Sequence, residues 1–356
     1  MKKYLKQSVF FFLYIGFLVL LIPQITYADD GIGYSYKIIK PKNQIESVGY
    51  FDLRMTPEQQ QTVEIELYNI TDKELSVDLS VNSTKTNSNG VIEYGPTKLK
   101  NDPSLKYDLK DIVKVPEKVT LQPKETKNVP VEITMPKEQY DGYIAGGIYL
   151  QKSENSAEKK ADKSAKGVVN KYAFVVGMLL SETDTKVQPD LKLNNISAGM
   201  TNYRNAFLVN FSNIEATYVE GMTVEAQIFK KGSDEVLYDT KKENYRMAPN
   251  SSIVFPINLN GESFVPGDYT AHVLVTAGDK SWKWEEDIKV TKDDADKYNN
   301  EDVSLIQDRG INWKVILIIS GGILLVLLMI YLVIRVLSRR KKTKQKNRKK
   351  IKTKKR

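Results

Sequence analysis

The side chains that could carry out acid–base or nucleophilic chemistry are unevenly supplied in this sequence. The chain has one histidine, His272, and no cysteine, whereas aspartate and glutamate together number 44. A serine or cysteine nucleophile ordinarily needs a neighbouring base, and a zinc site ordinarily needs several histidine or cysteine ligands. One histidine supplies neither arrangement. We therefore expect no catalytic residue, no metal site and no cofactor, and we expect His272 to be a surface residue of its strand.

The many carboxylates leave two further functions to consider, glycoside cleavage and calcium binding. Paired carboxylates cleave glycosidic bonds, but no pattern in the sequence singles out such a pair. An acidic group near residue 300 could attract calcium, although it lacks the glycine of an EF-hand loop and is more typical of a solvated segment. That group consists of Asp293, Asp294, Asp296, Glu301 and Asp302. A glycan hydrolase is therefore the least favoured function.

Binding is better supported than catalysis, because the chain has 20 tyrosines and three tryptophans. Their flat, amphipathic rings stack on sugars and anchor protein interfaces. The candidate glycan or partner contacts are Tyr140, Tyr143 and Tyr149. Tyr143 also has a structural interpretation, because Tyr143 and Tyr269 each follow a tight turn, as the tyrosine corner of immunoglobulin-type domains does.

Alternating apolar and polar residues predict that these side chains lie on β-strands. In one segment Val63, Ile65 and Leu67 alternate with Glu64 and Glu66, which is the period of a half-buried strand. Short strands and turns recur along most of the chain, and a strand ending in Asn-Ile occurs twice. The pattern predicts an all-β fold of two tandem immunoglobulin-like β-sandwich domains. Without cysteine, ordinary apolar cores must hold them together.

The boundary between the two sandwiches depends on a polar segment, Ser153–Gly167, which we predict to be a mobile loop. The apolar run Tyr172–Ser181 has the right length to pair with Tyr143–Gln151, so the loop is predicted to cap a hairpin. The predicted domains are a first sandwich over residues 29–184, a second over 185–292 and a stalk over 293–312.

An apolar segment from Val315 to Ile334 has the length of a membrane-spanning helix. We predict a transmembrane helix over 313–335 and a basic tail over 336–356. The predicted interfacial anchors are Trp313, Lys314, Arg335, Arg339 and Arg340. From Arg335 onward the chain has fourteen lysines and arginines and no acid. The positive-inside rule then places the tail in the cytoplasm and the two sandwiches outside.

The N-terminal residues fit the same topology. Three lysines precede the apolar run Val9–Ile22, which predicts a secretory signal peptide over residues 1–28, cleaved between Ala28 and Asp29. An uncleaved anchor is the alternative. The whole chain has a net charge of +9, but its terminal segments hold more positive charge than that, so the region between them is acidic. We therefore do not expect nucleic-acid binding.

Taken in this order, the segments resemble the WxL-interacting proteins, a surface-protein family of Gram-positive bacteria. Two motifs carry the resemblance, Tyr140-Asp141-Gly142-Tyr143-Ile144-Ala145-Gly146-Gly147-Ile148-Tyr149 and Tyr245-Arg246-Met247-Ala248-Pro249-Asn250-Ser251. The resemblance implies that the first domain binds peptidoglycan and that the second faces host or partner ligands. It also implies that the protein acts with surface proteins that carry a WxL domain.

The expected function is therefore that of a non-enzymatic scaffold or adhesin component at the cell surface, held in the cell membrane. It would bind wall glycan and engage a WxL-domain protein or a host ligand, and linked sites of modest affinity would act together. The alternative is a membrane-tethered chaperone or assembly factor that offers exposed sheet edges to partner strands.

Overall fold

The computed structural model describes residues 31–153, 171–305, 316–331 and 335. Several predictions concern residues outside these ranges. They are the signal peptide with its cleavage between Ala28 and Asp29, nearly all of the polar loop, the anchors Trp313, Lys314, Arg339 and Arg340, and the basic tail.

The first sandwich is built from short strands and one helical turn. Its elements are β1 (Tyr34–Ile39), β2 (Phe51–Arg54), β3 (Gln60–Asn69), β4 (Leu75–Ser83), β5 (Lys85–Thr86), β6 (Ile92–Glu93), α1 (Leu109–Ile112), β7 (Val113–Lys114), β8 (Lys118–Leu121), β9 (Thr126–Thr134), β10 (Ile144–Lys152) and β11 (Ala173–Ser181). One sheet has the order β1-β3-β9-β7, the facing sheet has the order β2-β11-β10-β4-β8, and β5 pairs with β6.

The core of the first sandwich lies between these two sheets. The predicted alternation of β3 is confirmed, since Val63, Ile65 and Leu67 are at most 3% exposed. They pack in one cluster with residues of the facing sheet such as Ile148 and Leu150. At the edge of this core the hydroxyl of Tyr34 donates to the carbonyl of Leu150 at 2.8 Å, so its polar end is satisfied although the ring is buried.

Strand β11 completes the second sheet of this sandwich. It pairs antiparallel with β10 from Ile144 opposite Leu180 to Gln151 opposite Ala173, which confirms the predicted hairpin pairing. On its other side it pairs in parallel with β2. Its alternate residues Val176, Met178 and Leu180 are buried in the core. Residues 173–181 are therefore part of the first sandwich.

The second sandwich follows from residue 191. Its elements are β12 (Leu191–Thr201), β13 (Arg204–Asn213), β14 (Val219–Lys230), β15 (Val236–Met247), β16 (Ser251–Asn258), β17 (Gly267–Ala277), β18 (Lys280–Val290) and α2 (Lys292–Glu301). A sheet of order β12-β13-β16 faces a sheet of order β15-β14-β17-β18. Phe207, Phe211 and Phe255 are fully buried between them.

The repeated Asn-Ile strand ending has the same structure in both sandwiches. Asn69 and Asn213 are both completely buried. The side-chain amide of Asn69 donates to the carbonyls of Lys73 and Gln122 at 2.8 and 2.9 Å. That of Asn213 donates to the carbonyls of Thr217 and Ala248 at 2.6 and 3.0 Å. Each asparagine therefore ties the end of its strand to the following turn and to a distant segment.

Two further features of the second sandwich bear on the predictions. The hydroxyl of Tyr269 donates to the carbonyl of Val265, four residues upstream, at 2.6 Å, as in a tyrosine corner. The stalk was predicted to begin at residue 293, but helix α2 begins at Lys292 and packs against the second sandwich. Its Ala295 is 1% exposed, and Tyr298 contacts the ring of Phe264 at 5.9 Å.

The C-terminal unit, residues 300–356, contains a helix over residues 316–331. Its large apolar side chains are exposed, and Arg335 is helical and exposed. Considering only the residues that the structure describes, none of the helices combines the length and the apolar character of a membrane span.

Candidate functional site

Two glycines form the floor of a shallow site on the outer face of the first sandwich. Gly147 of β10 lies directly opposite Gly177 of β11. Their neighbours Ile148 and Val176 point into the core, so both glycines lie on the outer face. Glycine in a strand often marks the close approach of another segment. Here the missing side chains leave room for chain segments that cross the sheet.

Tyrosines from distant parts of the chain occupy that room. A Cβ on Gly147 would lie 2.8 Å from the carbonyl oxygen of Tyr94, and a Cβ on Gly177 would lie 3.3 Å from the Cβ of Tyr50. The ring of Tyr143 lies 6.1 Å from that of Tyr218, and the side chain of Tyr218 interacts with that of Tyr94. We refer to Tyr50, Tyr94, Tyr143 and Tyr218 as the tyrosine cluster.

Two members of the tyrosine cluster have a raised pKa. Burial raises the pKa of Tyr218 well above its usual range, and its interaction with Tyr94 acts in the same direction. Burial also raises the pKa of Tyr50, with a further contribution from the nearby carboxylates of Asp52 and Glu46. Tyr50 remains 38% exposed. The cluster therefore offers ring faces together with the hydroxyl groups of Tyr50 and Tyr218, which stay protonated at neutral pH.

Charged groups flank the tyrosine cluster. Arg246 binds the carboxylate of Glu220 through two hydrogen bonds of 2.5 and 2.6 Å, and its positive charge acts on Tyr218. Asp52 is 7% exposed, and burial, followed by the charge of Glu46, raises its pKa. A ligand at this site would therefore meet a guanidinium group on one side and carboxylates on another.

The three tyrosines predicted from the sequence fall in different places. Tyr143 belongs to the tyrosine cluster. Tyr149 lies beside it, with its ring 3.0 Å from the position that a Cβ on Gly95 would occupy. Tyr140 lies apart. Its hydroxyl donates to the side-chain oxygen of Asn250 at 3.2 Å, and burial raises its pKa to about 12.

Sequence reasoning missed Tyr50, Tyr94, Tyr218 and Arg246 as members or neighbours of the site. Their positions in the sequence give no sign that they meet, because long-range strand pairing brings them together. The available signal was the glycine content of the two central strands. Gly147 and Gly177 leave gaps that only residues from elsewhere in the chain can fill.

The site borders the junction of the two sandwiches, where the two sequence motifs meet. Thr86 Oγ1 accepts a hydrogen bond from the backbone N–H of Ala248 at 3.0 Å and lies 2.7 Å from the hydroxyl of Ser251. The backbone N–H of Arg246 donates to the carbonyl of Gly90 at 3.0 Å. A Cβ added to Gly90 would lie 2.2 Å from the ring of Tyr245, so the ring packs directly on the glycine. The hairpin β5–β6 therefore docks on the second motif.

The first motif contributes to the same junction. The backbone N–H of Tyr143 donates to the carbonyl of Ala216 at 2.8 Å, and Gly142 approaches the same carbonyl closely. A third contact joins the sandwiches through Asp102, which is 6% exposed and accepts a hydrogen bond from the hydroxyl of Ser212 at 2.5 Å. Much of each motif therefore serves to join the two sandwiches.

A second hollow, of 480 Å³, lies on the outer face of the β14-β17-β18 region of the second sandwich. His272 lies in it, with its ring 4.7 Å from that of Phe229 and its Nε2 3.6 Å from a carboxylate oxygen of Glu285. His272 is exposed, which confirms the prediction of a surface histidine. Within the described ranges, no three histidine, aspartate or glutamate side chains are grouped so as to hold a metal ion.

Among solved structures, the similarities are at low identity. The class 5 fimbriae chaperone CfaA has 12% identity over 71% of this chain and 99% of that chain, with a TM-score of 0.28. The E. coli chaperone DraB has 13% identity over 71% and 98%, with a TM-score of 0.27. A PapD-like domain of human CEP192 has 10% identity over 46% and 95%, with a TM-score of 0.27. No curated protein matches the sequence.

Family models match most of the described chain. The model of the WxL Interacting Protein peptidoglycan binding domain matches residues 34–152, and the model of the host binding domain of the same family matches residues 163–300. Together the two matches cover more than two thirds of the sequence, in the order expected from the two motifs. The chain belongs to the WxL-interacting protein family.

Proposed function

We propose that this protein is a non-enzymatic component of the cell surface that binds peptidoglycan at the tyrosine cluster. The observation that carries the proposal is the convergence of tyrosines from four separate segments over the glycine floor of the first sandwich. Three of the four, Tyr50, Tyr94 and Tyr143, lie within the match to the peptidoglycan binding domain.

The chemistry of peptidoglycan suits this surface. Its sugar rings have apolar faces that aromatic rings cover, and its hydroxyl and acetamido groups exchange hydrogen bonds with phenols and carboxylates. Its peptide stems carry carboxylates, to which the guanidinium group of Arg246 can donate from Nη1, the nitrogen that takes no part in its pair with Glu220. The cluster supplies all three kinds of contact in one place.

Co-sedimentation with purified peptidoglycan tests the proposal. The full chain in detergent micelles should pellet saturably, and a Tyr50→Ala, Tyr94→Ala double variant should bind at least about tenfold more weakly, because one exposed and one half-buried aromatic ring are removed. Tyr203→Ala is the matched control, since Tyr203 is 76% exposed on a hairpin of the second sandwich. Equal binding by the double variant and the wild type would refute the assigned site, and release of soluble sugar would favour a hydrolase.

We propose further that the second sandwich engages a host ligand or a WxL-domain surface protein through the face that contains His272. The hollow there combines the exposed imidazole ring of His272 with charged groups such as Lys283 and Glu285. Mixed aromatic and charged surfaces of this kind are typical of protein interfaces. A Lys283→Glu variant should lose capture of a purified WxL-domain protein, while Tyr50→Ala should retain it. Unchanged capture by Lys283→Glu would exclude this face as the contact.

The chaperone alternative requires an accessible sheet edge. Strand β15 is an edge strand of the second sandwich, and its middle carries exposed charges at Lys241, Lys242 and Glu243. Charges on an edge strand oppose the addition of another strand. We therefore favour the scaffold over the chaperone.

Two further elements of the proposal concern location and fold class. The apolar segment from Val315 to Ile334 and the basic tail support a single-pass cell-membrane protein whose sandwiches face the cell wall. Protease added outside intact cells should then remove the sandwiches and leave the tail intact. For the fold, the Tyr269 corner supports an immunoglobulin-like second sandwich, and the matching asparagines Asn69 and Asn213 support a related first one.

A further inference from the structure

A lysine, an asparagine and an aspartate meet beside the hairpin that docks on the second sandwich. Lys85 lies in β5, Asn101 lies in the segment after β6, and Asp108 precedes α1. The Nζ of Lys85 contacts the side-chain oxygen of Asn101. The side-chain nitrogen of Asn101 donates to Oδ2 of Asp108 at 2.6 Å. One amide group therefore lies between an amine and a carboxylate.

The carboxylate of Asp108 is held in place from its other side. Oδ1 accepts a hydrogen bond from the hydroxyl of Ser83 at 2.8 Å, and that hydroxyl accepts one from the backbone N–H of Leu109 at 2.8 Å. Asp108 also caps α1 by accepting from the backbone N–H of Lys110. Its side chain is only 14% exposed. These contacts fix the direction in which Oδ2 faces Asn101.

We infer that Lys85 and Asn101 form an intramolecular isopeptide bond, with Asp108 as the catalytic proton carrier. Asp108 takes a proton from the ammonium group of Lys85, and the neutral amine attacks Cγ of Asn101. The new bond joins Nζ of Lys85 to Cγ of Asn101. The bond from Cγ to the side-chain nitrogen of Asn101 breaks as Asp108 returns the proton to that nitrogen. A second proton then passes from the attacking Nζ to the ammonia that leaves, which becomes the ammonium ion. The products are one secondary amide and one ammonium ion, and no oxidant or other reactant is needed.

The electrostatics of the three groups favour this step. Burial lowers the pKa of Lys85, although the charge of Asp108 partly opposes the change. The reactive neutral amine therefore costs less free energy to form. Burial acts to raise the pKa of Asp108, but hydrogen bonds from Ser83, Asn101 and Lys110 lower it overall. The lowered pKa keeps Asp108 ionised at neutral pH, which is the form that can take up a proton, and makes it a weak base that readily gives the proton up again. Its contact with the nitrogen of Asn101 places it at the leaving group.

The bond would close a loop that contains two features described above. Residues 86–100 include Gly90, which docks against Tyr245, and Tyr94, which belongs to the tyrosine cluster. Because the chain has no cysteine, a disulfide is not available to fix this loop. An amide bond between Lys85 and Asn101 would fix it, and no reducing agent would open it.

Peptide mapping by mass spectrometry tests the inference on the purified full chain. The wild type should yield a branched peptide that contains both Lys85 and Asn101 and is lighter than the two separate peptides by one ammonia. The branch should be absent from Lys85→Arg and Asn101→Ala and present in Lys98→Arg, a matched change of an exposed lysine in the same loop. A folded wild type that yields only unbranched peptides would overturn the inference. Undiminished branching in Asp108→Asn would overturn the role of Asp108.

Discussion

The substitution Gly142→Ala tests the junction of the two sandwiches most directly. Gly142 has a φ of +88°, which costs an alanine about 1 kcal/mol. A Cβ there would also lie 2.3 Å from the carbonyl oxygen of Ala216. Because that oxygen belongs to the backbone of the second sandwich, relieving the overlap requires the sandwiches to separate, and overpacking of this kind costs about 1–3 kcal/mol.

The combined effect is a loss of about 3 kcal/mol in the free energy of unfolding, which corresponds to a fall in Tm of roughly 6–12 °C for a unit of this size. Gly221→Ala is the matched control, because Gly221 has a φ of +59° and no atom within 4 Å of the added Cβ. This substitution should lower the free energy of unfolding by only about 1 kcal/mol, the cost of placing an alanine at a positive φ. Scanning calorimetry of the full chain in micelles measures both shifts. A shift for Gly142→Ala no larger than that for Gly221→Ala would refute the close approach to Ala216.

Three other predictions follow from contacts described above. Asn213→Ala should lower the free energy of unfolding in denaturant by about 2–4 kcal/mol, because it leaves two buried carbonyls without a donor, and a loss under about 1 kcal/mol would contradict this. The raised pKa of Tyr140, about 12 against an ordinary value of 10, leaves stability unaffected below pH 10 and reduces it between about pH 10 and 12, where the unfolded chain ionises first. Tyr140→Phe should therefore show a shallower decline in that range, and an unchanged decline would argue against burial of this phenol. Arg246→Gln should change stability by less than about 1 kcal/mol, since its pair with Glu220 is exposed, yet weaken peptidoglycan binding in the sedimentation assay. Unchanged binding would remove Arg246 from the site.

The local features of the fold could be predicted from the sequence. The alternation in β3 predicted which side chains enter the core, because burial of one face of a strand requires a period of two. The repeated Asn-Ile ending predicted related sandwiches, and both asparagines prove to be buried at equivalent strand ends. The apolar content of residues 172–181 predicted a partner for β10, since such a run cannot stay in water.

The tyrosine cluster could not be predicted from the sequence in this way. Tyr50, Tyr94, Tyr143 and Tyr218 meet because of strand pairings between distant segments and because of the junction between the sandwiches, and neither leaves a periodic signal. The motif around Tyr140 is one of the two that carry the family resemblance. Its first tyrosine, however, contacts Asn250 of the other motif rather than the tyrosine cluster. A motif in the sequence alone does not distinguish residues that contact a ligand from residues that contact a neighbouring domain.

The position of β11 has a consequence for how the protein matures. Strand β2 ends at Arg54, but its partner in the sheet, β11, begins only at Ala173. A chain that is synthesised from its N-terminus therefore cannot complete the first sandwich until well over a hundred residues after β2 have been added. Until then β10 has a free edge, and the apolar face of the sheet is open to water. During synthesis, the first sandwich should therefore acquire resistance to protease in a single late step, when residues 173–181 become available.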